Sequence, residues 1–141
     1  MRDLANNLHI RPAFNPGAAV TDNTPQVSAI LDTMGYGSAM LVFNTGTLSD
    51  ADATFTLLLE ESNAADMSGS NAVADADMIG TEVLGSFRFD DDNECRKLGY
   101  IGYKRYIRAT ITPSGNTGSL FLAGMWVLGR PASAPTPNPP Q

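Results

Sequence analysis

The chain has 141 residues, with 9 basic and 15 acidic side chains, a formal net charge of −6, one cysteine and one histidine. This length fits one domain with a substantial core, and a lone cysteine excludes a scaffold of intrachain disulfides. The negative charge disfavours nonspecific binding to nucleic acid or to an acidic membrane. The first residues lack the apolar segment of a signal peptide, and the longest apolar run, Leu120 to Gly129, is about half of a membrane helix. We therefore expect a soluble domain with no nucleic-acid and no membrane partner.

The charged residues are sorted along the chain. Between Pro12 and Phe87 there are ten acidic residues and no lysine or arginine, whereas six of the nine basic residues lie between Arg88 and Arg108. A folded domain can interleave these segments, or it can use an acidic face and a basic face for docking. Charge patterning alone favours interleaving.

The first half of the chain reads as an extended arm followed by short strands. Residues 1–25 contain three prolines and only scattered hydrophobic side chains, which predicts an N-terminal arm. Val27 to Leu31 predicts a short strand, and the apolar run Ala39 to Phe43 predicts a strand buried on both faces. Ala53 to Ser62 alternates, which places Phe55, Leu57 and Leu59 on one face.

The middle of the chain predicts a long surface loop, a strand and an acidic turn. Residues 63–80 lack strong periodicity and hold at most a short helix at Ala72 to Ile79, and Thr81 to Phe89 predicts a further strand. The turn at residues 90–94 resembles the start of a calcium loop. Cys95 and Ile101 stand where that loop needs glycine and glutamate, so a solvated turn is favoured over a metal site.

The last strands carry the clearest pattern. Tyr103 to Thr112 alternates, with Ile107, Ala109 and Ile111 on one face, and the Gly- and Asn-rich segment after it predicts a hairpin with the strand Leu120 to Leu128. This second strand is apolar on both faces, as expected for a central strand with core on both sides or for a homodimer interface. In residues 131–141, five of eleven residues are proline, which predicts an extended C-terminal arm.

These elements together predict an all-β protein. Seven or so short strands, separated by turn signals and without a long amphipathic helix, indicate an antiparallel β-sandwich of jelly-roll type. We place this sandwich at residues 26–130, between extended arms at residues 1–25 and 131–141.

Catalytic patterns are scarce. His9 and Cys95 lie far apart in the chain, and the adjacent Glu60 and Glu61 point to opposite faces of a strand, so neither pair predicts acid–base or nucleophilic catalysis. We expect no enzyme, no cofactor and no small-molecule substrate. A small hydrolase or carbohydrate-binding module remains an alternative that requires a cleft with converging polar groups.

The segment Gly99 to Arg108, GYIGYKRYIR, resembles a signature of small head proteins encoded beside the major capsid protein in tailed phages. Because of this segment, the chain resembles the capsid cement, or decoration, proteins of tailed phages. Among them it is most similar to the jelly-roll cement protein of a Bordetella phage. Four further segments fit this resemblance: Asn7 to Pro12, Asp32 to Ser38, Leu59 to Ser62 and Val127 to Pro131.

The resemblance implies a non-enzymatic jelly-roll protein that sits as a homodimer on the outer surface of the virion. It would bind the major capsid protein and clamp neighbouring subunits, after synthesis in the bacterial host cytoplasm. A head–tail joining or minor tail protein is the alternative. Tyrosine and arginine are enriched at interface hot spots, and both arms are expected to reach along the shell. We therefore choose these candidate contact residues: Tyr100, Ile101, Tyr103, Arg105, Tyr106, Trp126, Pro135 and Pro137.

Overall fold

Two antiparallel β-sheets pack face to face in the computed structural model, which describes residues 2–140. The first half of the chain contributes β1 (Leu8–Phe14), β2 (Gln26–Val27), β3 (Leu31–Asp32), β4 (Tyr36–Leu48), β5 (Thr54–Ser62) and β6 (Asn71–Ala72). The second half contributes β7 (Met78–Ile79), β8 (Phe87–Arg88), β9 (Cys95–Tyr100), β10 (Tyr106–Ser114) and β11 (Leu120–Pro131). The helical segments are one turn of 3-10 helix (Asp75–Asp77) and α1 (Glu82–Gly85).

The five-stranded sheet has the strand order β1-β11-β4-β9-β7. The six-stranded sheet has the order β2-β10-β5-β6, with β3 also paired to β10 and β8 to β5. All of these pairs are antiparallel, and many of them join strands that are distant in the chain. The predicted all-β sandwich of jelly-roll type is therefore confirmed.

The core lies between the sheets and follows the predicted alternation of β5 and β10. Ile107, Ala109 and Ile111 of β10 are fully buried, and Phe55 and Leu59 of β5 lie on the same inner face. The opposing layer is supplied by β4, β9 and β11, with Leu41, Phe43, Leu98, Trp126 and Leu128. Because only alternate side chains of β5 and β10 enter the core, the hydrophobic residues of these strands repeat every two positions, and the sequence predicted both strands.

The predicted hairpin between β10 and β11 is wrong, because the two strands belong to different sheets. β10 lies between β5 on one side and β2 and β3 on the other, and β11 lies between β1 and β4. Neither strand has a free edge for the other. The connection crosses between the sheets instead, and the Asp50 carboxylate holds it by accepting hydrogen bonds from the Thr117 and Gly118 amides at 2.8 and 3.0 Å.

The N-terminal prediction is wrong for residues 8–14, which form β1 at an edge of the five-stranded sheet. β1 buries the polar His9 and exposes the apolar Ile10 and Pro12, so its sequence lacks the alternation of a half-buried strand. At the other end, β11 ends at Pro131 and the residues after it form no strand within the described chain. Met1 and Gln141, the outermost residues of the two predicted arms, lie outside the described residues.

The predicted strand at Thr81 to Phe89 is also wrong over most of its length, since it consists of α1 and the two-residue β8. The Thr81 hydroxyl accepts a hydrogen bond from the Leu84 amide at 3.1 Å and so caps the first turn of α1. The preceding loop contains the 3-10 turn Asp75–Asp77 in place of the longer helix considered at Ala72 to Ile79. Among the described residues, neither helical segment has the length or apolarity to cross a membrane.

Candidate docking surface

The structure buries two of the eight predicted contact residues. Trp126 is 1% exposed and lies in the core, where its indole N–H donates to the Ala29 carbonyl at 3.0 Å. Tyr100 is 5% exposed. These two residues therefore contact the protein's own interior and offer no side chain to a partner. Sequence reasoning misplaced them because aromatic residues are typical both of cores and of interfaces.

Tyr100 connects the two sheets. Its hydroxyl donates to Glu61 Oε2 on β5 at 2.7 Å and accepts from the Lys104 amide at 2.9 Å. Burial, followed by the hydrogen bond to the Glu61 carboxylate, raises the pKa of Tyr100 well above its ordinary value. The phenol therefore stays protonated and serves as a structural tie.

Four more predicted residues of the same segment end on different sides of the sandwich. Ile101 is 51% exposed beside the five-stranded sheet, and Tyr103 is 97% exposed in the loop after it. Arg105 turns to the other side and makes two hydrogen bonds with Asp32, at 2.8 and 2.7 Å, which lower the pKa of that carboxyl. Its guanidinium carbon also lies 5.0 Å from the centre of the Tyr106 ring. Residues that are neighbours in the sequence motif therefore lie on different sides of the folded protein.

The last two predicted residues, Pro135 and Pro137, are exposed on either side of the buried Thr136. They belong to the C-terminal tail, which here means residues 132–140. This tail packs against the chain's own N-terminal residues, where Thr136 bonds to Asn6 and Leu8.

An apolar surface covers the outer side of the five-stranded sheet. The strand register places Ile10 beside Val127 and Val127 beside Met40, and it places Pro12 beside Met125 and Met125 beside Val42. Ile10 and Met125 are 42% and 43% exposed. We call this surface the apolar face, and it consists of Leu8, Ile10, Pro12, Met40, Val42, Ile79, Ala123, Met125 and Val127.

Lys97 is the single charged side chain at the outward positions of this sheet's described strands, where it pairs in register with Val42. The sequence predicted that Ala39 to Phe43 is buried on both faces. This is wrong, because Met40 and Val42 are only half-buried and face outward. The apolar outer side of β11 likewise has no second core layer against it. The double-sided hydrophobicity of these two strands was the signal for the apolar face.

Two shallow grooves run across the apolar face. The larger, of about 600 Å³, is lined by Ile10, Pro12, Val42, Ala123 and Met125 together with Cys95 and Pro140. The smaller, of about 280 Å³, is lined by Leu8, Met40, Ile79, Ile101 and Val127. Gly99 and Gly129 keep the smaller groove open, since an added Cβ would lie 3.0 Å from Ile79 Cβ or 2.7 Å from Ser38 Oγ. The grooves are therefore shaped for apolar protrusions.

The outer side of the six-stranded sheet is chemically different. We call it the polar face, and it presents Thr54, Thr56, Glu60, Tyr106, Arg108, Thr110, Thr112 and Ser114, with Leu58 and Val27 as its exposed apolar members. Arg108 forms an ion pair with Glu60 at 2.8 Å, just as Arg105 does with Asp32. These pairs join the basic segment of the chain to its acidic segment, as the interleaving interpretation of the charge pattern predicts.

The geometry does not combine the residues considered for catalysis or metal binding. His9 faces the core on β1, whereas Cys95 points to solvent on β9, and two strands separate them. The acidic turn uses its carboxylates locally, since Asp91 accepts from the Arg88 amide at 2.7 Å. Among residues 2–140, no group of three or more His, Cys, Asp or Glu side chains is placed to hold a metal ion.

Comparison with family models gives no match, and comparison with curated proteins gives none either. Among solved structures, the chain is similar to the phage PBSX exported protein XepA, with a TM-score of 0.50 and 12% identity. That match covers 85% of this chain and 36% of XepA, so the chain spans little more than a third of that protein. It is also similar to the xylan-binding module CBM15, with a TM-score of 0.39 and 9% identity over 93% of this chain and 95% of that one. The likeness to XepA concerns the fold alone, and the chain shares a two-sheet β-sandwich with a phage exported protein.

Proposed function

We propose that the protein is a capsid decoration protein that binds the outer surface of the major capsid protein shell through its apolar face. One observation carries this proposal: the apolar face is open to solvent and carries one charged residue, Lys97, at its outward strand positions. Contiguous apolar surface of this kind marks interaction sites on proteins. The resemblance of residues 99–108 to phage head proteins supports the major capsid protein as the partner.

The shape of the apolar face suits a broad protein partner. Its grooves are shallow, and most of the residues around them are apolar, with Arg11, Asn44 and Lys97 among the polar ones. A small-molecule site has a cleft in which a few polar groups converge, and the apolar face has no such cluster among its described residues. Ile101, Met125 and Ile10 are exposed enough to enter pockets on a partner. This supports docking over binding of a sugar or a substrate.

Decoration requires binding across subunit boundaries. On a repeating lattice, a protein that contacts two neighbouring subunits resists their separation, and many weak contacts add through avidity. The apolar face has residues on β1, β11, β4 and β7, so it reaches from one edge strand of the five-stranded sheet to the other and leaves room for contacts with two subunits. Self-association into a homodimer belongs to the same proposal, and light scattering at tens of micromolar protein tests it, because a strict monomer removes it.

Quantitative co-sedimentation with capsid shells tests the proposed function. We expect the protein to pellet with shells at hundreds of copies per particle, measured by gel densitometry against the major capsid protein. A dozen or fewer copies would support the alternative of a head–tail joining or minor tail protein. No co-sedimentation with shells, before or after expansion, would contradict the proposal.

A further inference from the structure

The C-terminal tail is bonded to the start of β1. Thr136 is 5% exposed although its neighbours on both sides are exposed prolines. Its amide donates to the Asn6 carbonyl at 2.9 Å, and its hydroxyl donates to the Leu8 carbonyl at 2.6 Å and lies 3.2 Å from the Ala5 oxygen. A buried threonine with these bonds fixes the tail at one point along β1.

Beyond Thr136 the tail follows β1 toward its other end. Pro140 lines the larger groove together with Ile10, Pro12 and Met125. Thr136 is bonded at Asn6 and Leu8, whereas Pro140 lies with Ile10 and Pro12, which are farther along β1. The tail therefore runs beside β1 in the same direction and reaches the apolar face.

The composition of the tail suits this place. Proline lacks a backbone N–H, so the tail adds no regular strand to the open edge of β1, yet its rings supply apolar surface. A proline-rich segment is also extended before it binds, which lowers the entropy lost on docking into an apolar groove. The Thr136 amide donates a hydrogen bond to the Asn6 carbonyl, just before β1, that proline could not supply.

We propose that the larger groove is a binding site for a proline-rich segment, and that its occupant in the free protein is the chain's own C-terminal tail. The tail acts as a strap that must leave the groove when the apolar face docks, because Ile10, Pro12 and Met125 belong both to the groove and to the apolar face. Binding of the tail in the groove is inferred from the structure of the free chain. Release of the tail on docking rests on the proposed function.

A distance measurement between two spin labels tests the strap in the free full-length chain. The labels are placed at Asn138→Cys in the tail and Thr47→Cys on β4, in a Cys95→Ser background. We expect one narrow distance distribution. Thr136→Val removes the hydroxyl donor at nearly constant volume and should broaden it, whereas the control Thr112→Val on the polar face should leave it narrow. A broad distribution before the Thr136 change, or a narrow one after it, would overturn the strap.

The same labelled chain, bound to capsid shells, tests the displacement. We expect the narrow distance to be lost in the pelleted, shell-bound fraction. A distance that stays unchanged in that fraction would overturn the displacement and leave the docking itself intact. If the chain fails to pellet with shells, the proposed function and the displacement both fail, while the distance in the free chain still decides whether the strap exists.

Discussion

The two outer faces of the sandwich have different chemistry. On the polar face, β5 and β10 present threonines and the ion pair of Arg108 with Glu60, and Arg105, just before β10, pairs with Asp32 of β3. On the apolar face, β4 and β11 present methionine and valine to solvent. A chain that needed only a stable core could place polar residues on both outer sides. The contrast supports the proposal that the apolar face, and not the polar face, docks on a partner.

The largest effect should come from a charge on the apolar face. We expect Met125→Glu to weaken docking to shells by about 100-fold or more, because roughly 2 kcal/mol of apolar burial is lost and a carboxylate must be desolvated. Co-sedimentation measures this change. Thr112→Glu on the polar face is the matched control and should dock normally. Equal losses of shell binding in Met125→Glu and Thr112→Glu would contradict the proposal that only the apolar face docks.

Tyr100 tests the tie between the two sheets. Tyr100→Phe removes a donor to Glu61 and an acceptor for the Lys104 amide, so the free energy of unfolding should fall by about 1–2 kcal/mol in a urea titration at neutral pH. The folded state favours the protonated phenol, since its pKa is raised. The stabilisation is therefore complete below the unfolded pKa of about 10 and is lost as the pH rises above it. The variant should lack this alkaline loss, and an identical alkaline loss in both proteins would contradict the assignment.

The polar face should respond to mutation in stability and not in docking. Arg108→Met leaves the Glu60 carboxylate, which is 18% exposed, without its partner and should lower the free energy of unfolding by about 1 kcal/mol. The double variant Arg108→Met with Glu60→Leu should recover most of that loss. Thermal and urea unfolding measure both variants. A clear loss of shell binding in the single variant would place a contact on the polar face and contradict the comparison.

The smallest effect is expected at the connection that carries the chain between the sheets. The amides of Asp52 and Thr117 donate to the Asp50 carboxylate and hold the pKa of this group well below its ordinary range. The contribution of Asp50 to the free energy of unfolding is therefore present above the unfolded pKa of about 3.9 and is lost as the pH falls below it. Asp50→Asn should destabilise the protein less than Tyr100→Phe and should flatten the acid limb of stability against pH. An unchanged acid limb would show that Asp50 does not hold the connection.

The fold class was predictable because the strongest strands alternate. β5 and β10 each bury one face, so their two-residue period identifies both the element and its core residues. The pairing was not predictable in the same way. A Gly- and Asn-rich turn occurs in hairpins and equally in connections between sheets, and only the occupancy of both edges of β10 and β11 decides between them. The edge strand β1 was not predicted because it buries the polar His9 and exposes the apolar Ile10 and Pro12.

The docking surface was only partly predictable. The double-sided hydrophobicity of β11 indicated an interface or a second core layer, and the open outer side of the five-stranded sheet favours the interface. The segment from Tyr100 to Tyr106 looked like one binding motif because its residues are neighbours in the chain. The chain crosses from one sheet to the other between Tyr100 and Tyr106, so Ile101 is the exposed member that lies beside the apolar face. The order of residues along the chain does not show which of these side chains share a face of the sandwich.

The central claim is that the apolar face, and not the polar face, meets the capsid. Cys95 is exposed on the groove of the apolar face and is the one cysteine of the chain, so its alkylation rate reports coverage of that face directly. We predict that Cys95 reacts readily in the free protein and at least tenfold more slowly in the shell-bound fraction. A Thr112→Cys variant with Cys95→Ser, on the polar face, should react equally fast in both states. Fast alkylation of Cys95 on shells, together with protection at position 112, would contradict the account.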